Sequence, residues 1–127
     1  MDEAINDEKR KAVARFLEDF KAAAIVRKMI VSDREKNQAA LIQMGLTSKN
    51  REDIILQLAV GDYVSGPEAD HHRRSDIWVF GKRIETFDVY IKLQLLEYIP
   101  ADTEDLVRQP VCISFHIAEK PLAFPLK

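Results

Sequence analysis

One cysteine, one tryptophan and four glycines are all that the 127 residues hold of these three types. The lone Cys112 excludes an intrachain disulfide and fits a reducing compartment. No GxGxxG, P-loop or GxSxG string occurs, which removes the common dinucleotide, nucleotide-hydrolase and serine-hydrolase readings. No apolar run approaches the roughly 20 residues needed to span a bilayer. The N-terminus, MDEAINDEKRK, is charged rather than apolar and so unlike a secretory signal. The expectation is a cytoplasmic protein with no membrane partner. A surplus of one charge is lacking too: 19 basic against 21 acidic residues leave a net charge of −2, so any nucleic-acid affinity needs a local basic patch. There is no internal repeat and no low-complexity segment.

What is present suits a folded chain, with 46% hydrophobic and 31% charged residues. The length predicts a single domain over 1–127, with a disordered N-terminus over 1–8 and an extended tail over 119–127. Val13, Phe16, Leu17, Phe20 and Ala24 follow the i, i+3, i+4, i+7 spacing of an amphipathic helix over 8–26. The β-branched stretch IVRKMIV predicts a short strand at 27–31. Ser32 and Glu35 have the spacing of a capping box before a helix over 34–44, which stops at Gly45. Thr47 or Ser48 opens a third helix on which Ile54, Ile55 and Leu58 share a face. Residues 62–75, DYVSGPEADHHRRS, read as a loop around Gly66-Pro67.

Beyond the loop the period changes to that of strands. Residues 76–84, 87–97 and 111–117 read as three consecutive strands, with an acidic loop over 98–109. Helices followed by strands predict an α+β fold, with N-terminal helices packed on one face of a small antiparallel sheet. In VCISFHI, residues 111–117, Val111, Ile113, Phe115 and Ile117 alternate with Cys112, Ser114 and His116. In the strand before it, Val89, Ile91, Leu93 and Leu95 alternate with Tyr90, Lys92 and Gln94. If both apolar sets enter one core, Tyr90, Lys92, Ser114 and His116 share the open face. Taking Ile77 and Val79 as the core set of the first strand turns Trp78 and Lys82 toward the same face, with Arg73 and Arg74 nearby.

This set suits cleavage of RNA without a metal. A base must take the ribose 2′-OH proton, cations must stabilise the phosphorane, and an acid must protonate the departing 5′-oxygen. An imidazole can act as base or acid near neutral pH, and an indole can stack on an unpaired base. Each residue also has a plain use: Tyr and Lys are common on open strand faces, and Trp78 beside Phe80 suits a core. His71 and His72 with Glu68 and Asp70 offer metal-ligand chemistry, but adjacent histidines usually diverge and no spaced Cys or His pair completes a zinc set. No metal or cofactor is expected.

Several strings, taken in order, resemble the MqsR family of bacterial type II toxins, whose fold is of the RelE-like ribonuclease kind. They are ALIQMGLTSKNREDIILQL, GDYVSGP, DIW at 76–78, VYIKL at 89–93 and ISFH at 113–116, within a likeness spanning about residues 10–117. The resemblance implies a metal-independent endoribonuclease that cuts messenger RNA by 2′-oxygen attack, leaving a 2′,3′-cyclic phosphate and a 5′-hydroxyl. It also implies a cognate antitoxin, often DNA-binding, and leaves the ribosome as a further candidate partner. Tyr90 and Lys92 match functional residues of the family, and His116 stands where a functional lysine is found. Ser65 and Val79 replace a lysine and a glutamine. Catalysis is therefore expected from Tyr90, Lys92 and His116, and RNA or phosphate binding from Arg73, Arg74, Trp78, Lys82 and Ser114. The alternative on the same fold is a module that binds RNA or protein without cutting.

Overall fold

Apolar residues recurring every third or fourth position make the first helix. In the computed structural model, which describes residues 3–127, α1 (Glu3–Val26) buries Val13, Phe16, Leu17, Phe20 and Ala23, so Ala23 rather than Ala24 completes the stripe. The expectation of a disordered segment over 1–8 is corrected for residues 3–8, which form the first turns of α1. Glu, Lys and Arg are good helix formers, and Glu3 in the first turn complements the helix dipole. The expectation for Met1 and Asp2 lies outside the described residues.

Then follow β1 (Ile30–Val31), α2 (Glu35–Met44) and α3 (Ser48–Leu56). Gly45 ends α2 in the left-handed conformation, as read from sequence. The start of α2 differs: Arg34 is the N-cap, with no side-chain cap. Thr47 and Asn50 form a reciprocal capping box on α3. Among the described residues no helix is long and apolar enough to cross a membrane.

The strands β2 (Tyr63–Glu68), β3 (Ile77–Ile84), β4 (Phe87–Tyr98) and β5 (Val107–Ile117) join β1 in a sheet of order β1-β5-β4-β3-β2. The fold is α+β, and the three expected strands form its antiparallel centre. Both edges enlarge it. β1 runs parallel to β5, which makes the sheet mixed, and β2 rises from the stretch read as a loop. Pairing of β2 is broken by register shifts, which hides its alternation in sequence. Gly66 sits at φ 113°, and a Cβ there would come within 2.8 Å of the Ile77 carbonyl oxygen, so only glycine fits.

The inner face packs on α1. Val89, Ile91, Leu93 and Leu95 of β4 join Phe115, Trp78 and Phe80 in the core. The reading of β3 had the opposite phase and is corrected. Trp78 is 9% exposed and stacks on Phe16 at 5.0 Å between ring centroids. Two rings on alternate positions, Trp78 and Phe80, bury more apolar area against α1 than Ile77 and Val79 would. Val79 and Gly81 therefore stand opposite Lys92 and Tyr90 on the outer face.

The tail over 119–127 has no regular structure and crosses that outer face. Leu122 and Phe124 fill the space above Gly81, and Leu126 is buried. A Cβ at Gly81 would lie 2.7 Å from Leu122 Cδ1 and 3.0 Å from the Phe124 ring. Gly81→Ala is expected to cost about 1–3 kcal/mol and to lower hydrogen-exchange protection around 122–126. Unchanged protection there would show that the tail does not depend on this contact.

Candidate active site on the outer face of the sheet

Cross-strand register decides which side chains meet. Tyr90 pairs with His116, and Lys92 pairs with Ser114. One residue further along β4, the register slips: Leu93 pairs with Cys112, leaving Ile113 as an extra residue in β5. This bulge changes the phase of the strand. Ser114 and His116 face outward as expected, but Cys112 turns into the core and is fully buried. Burial raises its thiol pKa to about 12, so it is inert rather than nucleophilic.

The bulge is held by Asn37 in the first turn of α2. Its amide nitrogen donates to the Ser32 and Ile113 carbonyls, both at 3.0 Å, and its oxygen accepts from the Phe115 amide at 2.9 Å. Asn37 is itself buried. The N-terminal end of α2 is thereby fixed against β5, and Arg34 and Lys36 come to the edge of the outer face.

An open pocket of about 330 Å³ results. Tyr90, Lys92, Ser114 and His116 line it, with Arg34 and Lys36 from α2 and Glu119, Lys120, Pro121 and Leu122 from the tail. Four cations face a single carboxylate, and Lys36 pairs with that carboxylate, Glu119. The hydrogen bond and charge of Lys36 hold the Glu119 carboxyl below its ordinary range.

His116 stacks on Tyr90 with centroids 5.3 Å apart and planes at 29°. Lys92 Nζ lies 5.9 Å from the Tyr90 ring centroid, within reach of a cation–π contact. His116 Nδ1 is 3.0 Å from the Ile117 carbonyl oxygen. A carbonyl only accepts, so this contact places a proton on Nδ1. In the neutral ring the lone pair then lies on Nε2, the nitrogen able to act as a base.

The expected residues therefore divide. Tyr90, Lys92, Ser114 and His116 come together. Arg73 reaches the same face through a long hydrogen bond, 3.4 Å, to Gln94 Oε1. Three do not join them. Trp78 is in the core, so its expected role as a stacking platform is corrected. Lys82 lies on the inner side of β3, where it pairs with Asp62 at 3.4 Å. Arg74 lines a different recess with Phe16, Asp19, Trp78 and Glu97. Sequence reasoning missed Arg34, Lys36 and Lys120, which carry no local motif. Among the described residues, no group of three or more His, Cys, Asp or Glu side chains is arranged to hold a metal ion.

Compared with protein-family models, with curated proteins and with solved structures, the chain finds no match.

Asn37→Ala would leave the Ile113 carbonyl and Phe115 amide unpaired and is expected to cost about 2–4 kcal/mol, read from the urea midpoint. A loss under about 0.5 kcal/mol would show that the bulge stands without the clamp. In the native protein at pH 8, Cys112 is expected to resist a soluble thiol reagent and to react on unfolding. Fast native reaction would contradict its burial.

Proposed function

We propose that the protein is the toxin of a type II toxin–antitoxin pair, a metal-independent endoribonuclease that acts on messenger RNA in the cytoplasm. One observation carries the reading. Tyr90, Lys92 and His116 converge on a pocket where Arg34, Lys36 and Lys120 add positive charge. A pocket with a base, a phenol and several cations suits attack on a phosphodiester.

His116 Nε2 takes the proton of the 2′-hydroxyl as its oxygen forms a bond to phosphorus. Lys92, with Arg34 and Lys36, stabilises the negative charge on the phosphorane. The bond to the 5′-oxygen breaks, and the Tyr90 hydroxyl supplies the proton that oxygen needs. The products are a 2′,3′-cyclic phosphate and a 5′-hydroxyl.

Ser65 and Val79 fit this scheme through their register. Ser65 pairs with Val79, Val79 with Lys92, and Lys92 with Ser114, so one row crosses four strands. The positions at which the MqsR pattern has lysine and glutamine are thus neutral here, on the β2–β3 side of Lys92. The replacement charge comes from the other side, through α2 and the tail. A cognate antitoxin, often DNA-binding in such systems, would restrain the activity. The neutral row also motivates a second reading, a module that holds RNA without cutting it.

The test is incubation of pure protein with long single-stranded RNA in EDTA, with and without ribosomes. The expected outcome is cleavage to 5′-hydroxyl ends, with His116→Ala and Tyr90→Phe each slower by about 100-fold or more while still folded. Cleavage at the wild-type rate by both variants would remove these residues from the chemistry. Tight binding of RNA that stays intact would favour the second reading.

A further inference from the structure

Gln94 is a polar residue on the outer face with no exposed surface at all. Nothing in the proposed chemistry uses it. It is buried because the segment between β2 and β3 folds over it, and it holds that segment by three contacts. Its amide nitrogen donates to Asp70 Oδ2 and to the Ser75 carbonyl, both at 2.8 Å, and its oxygen accepts from Arg73 Nη1 at 3.4 Å. The His72 amide also donates to Asp70, at 2.9 Å, and these bonds hold the Asp70 carboxyl below its ordinary range. The loop is therefore pinned at Asp70, Arg73 and Ser75.

Arg73 keeps its exposure while its guanidinium is anchored. Arg74, next to it, points to the other side of the molecule. Along β4, Gln94 lies two residues beyond Lys92 on the same face, a separation of about 7 Å. The Arg73 guanidinium held at Gln94 thus adds a second positive position on the face that carries Lys92, and two such positions suit a polyanion better than a lone phosphate.

We infer that Arg73, positioned by Gln94, forms a second phosphate subsite that binds the phosphodiester next to the one cut. It deepens the ribonuclease reading and rests on it. The substrate class that follows is single-stranded RNA of at least three nucleotides, so that two phosphodiesters are engaged together. Arg73 is the binding residue, and Gln94 acts through it as a positioning residue.

The experiment compares a mixed-sequence single-stranded RNA with the dinucleotide that carries its cleaved step. Arg73→Ala is expected to lower kcat/KM on the polymer about fivefold more than on the dinucleotide. It should also flatten the salt dependence of polymer binding by about 0.7 in log–log slope. Gln94→Leu should reproduce the selective loss, and the double variant should be no worse than either single one. His116→Ala, by contrast, should depress both substrates alike. An equal effect of Arg73→Ala on polymer and dinucleotide, or an unchanged salt slope, overturns the subsite and leaves the ribonuclease reading standing. Failure of the wild type to cut either substrate overturns the ribonuclease reading, and the subsite with it. If Gln94→Leu does not fold, Arg73→Ala still decides the outcome.

Discussion

The side-chain amide of Asn37 is the contact on which the outer face depends. A bulge in β5 leaves backbone groups that the ladder cannot pair, and a buried unpaired group costs about 1–3 kcal/mol. Asn37 satisfies the Ile113 carbonyl and the Phe115 amide at once and ties them to Ser32. It needs two donors and an acceptor in one short planar group. Aspartate would lack the donors, and leucine would lack everything. Because of that bulge, one strand turns Cys112 and Phe115 toward the core and Ser114 and His116 away from it.

Charge at the pocket is gathered rather than abundant. The chain as a whole carries −2, yet Arg34, Lys36, Lys92 and Lys120 line one recess. At physiological ionic strength the screening length is about 8 Å. Cations lining one pocket therefore act jointly on an anion there, while carboxylates much farther away than that are largely screened. Local arrangement outweighs net charge at this range.

Much of the fold was legible because it is periodic. The stripe of α1, the Gly45 stop, the Thr47 cap and the three central strands each have a local signature, and each is found. β3 was misread because Ile77 and Val79 and Trp78 and Phe80 offer two apolar sets of opposite phase. Only packing against Phe16 and Tyr63 chooses between them. β2 was missed because its register is irregular. The central residues of the site could be read from alternation on β4 and β5. The cations of α2 could not, since about eighty residues separate Arg34 from His116. The parallel pairing of Ile30 with Val111, a tertiary fact, is what brings them together.

Gly81 and the tail above it bear on the order in which the pocket comes into existence. Residues emerge during synthesis from the N-terminus, so Tyr90, Lys92 and His116 are joined to the chain before Lys120, Pro121 and Leu122. Until those three are added, with Leu122 and Phe124 laid over Gly81, the pocket lacks one wall and one of its cations. A nascent chain halted at Ile117 has every strand of the sheet and an unfinished site. For any protein whose activity would harm the machinery that makes it, such an order keeps the site incomplete until translation has passed the tail.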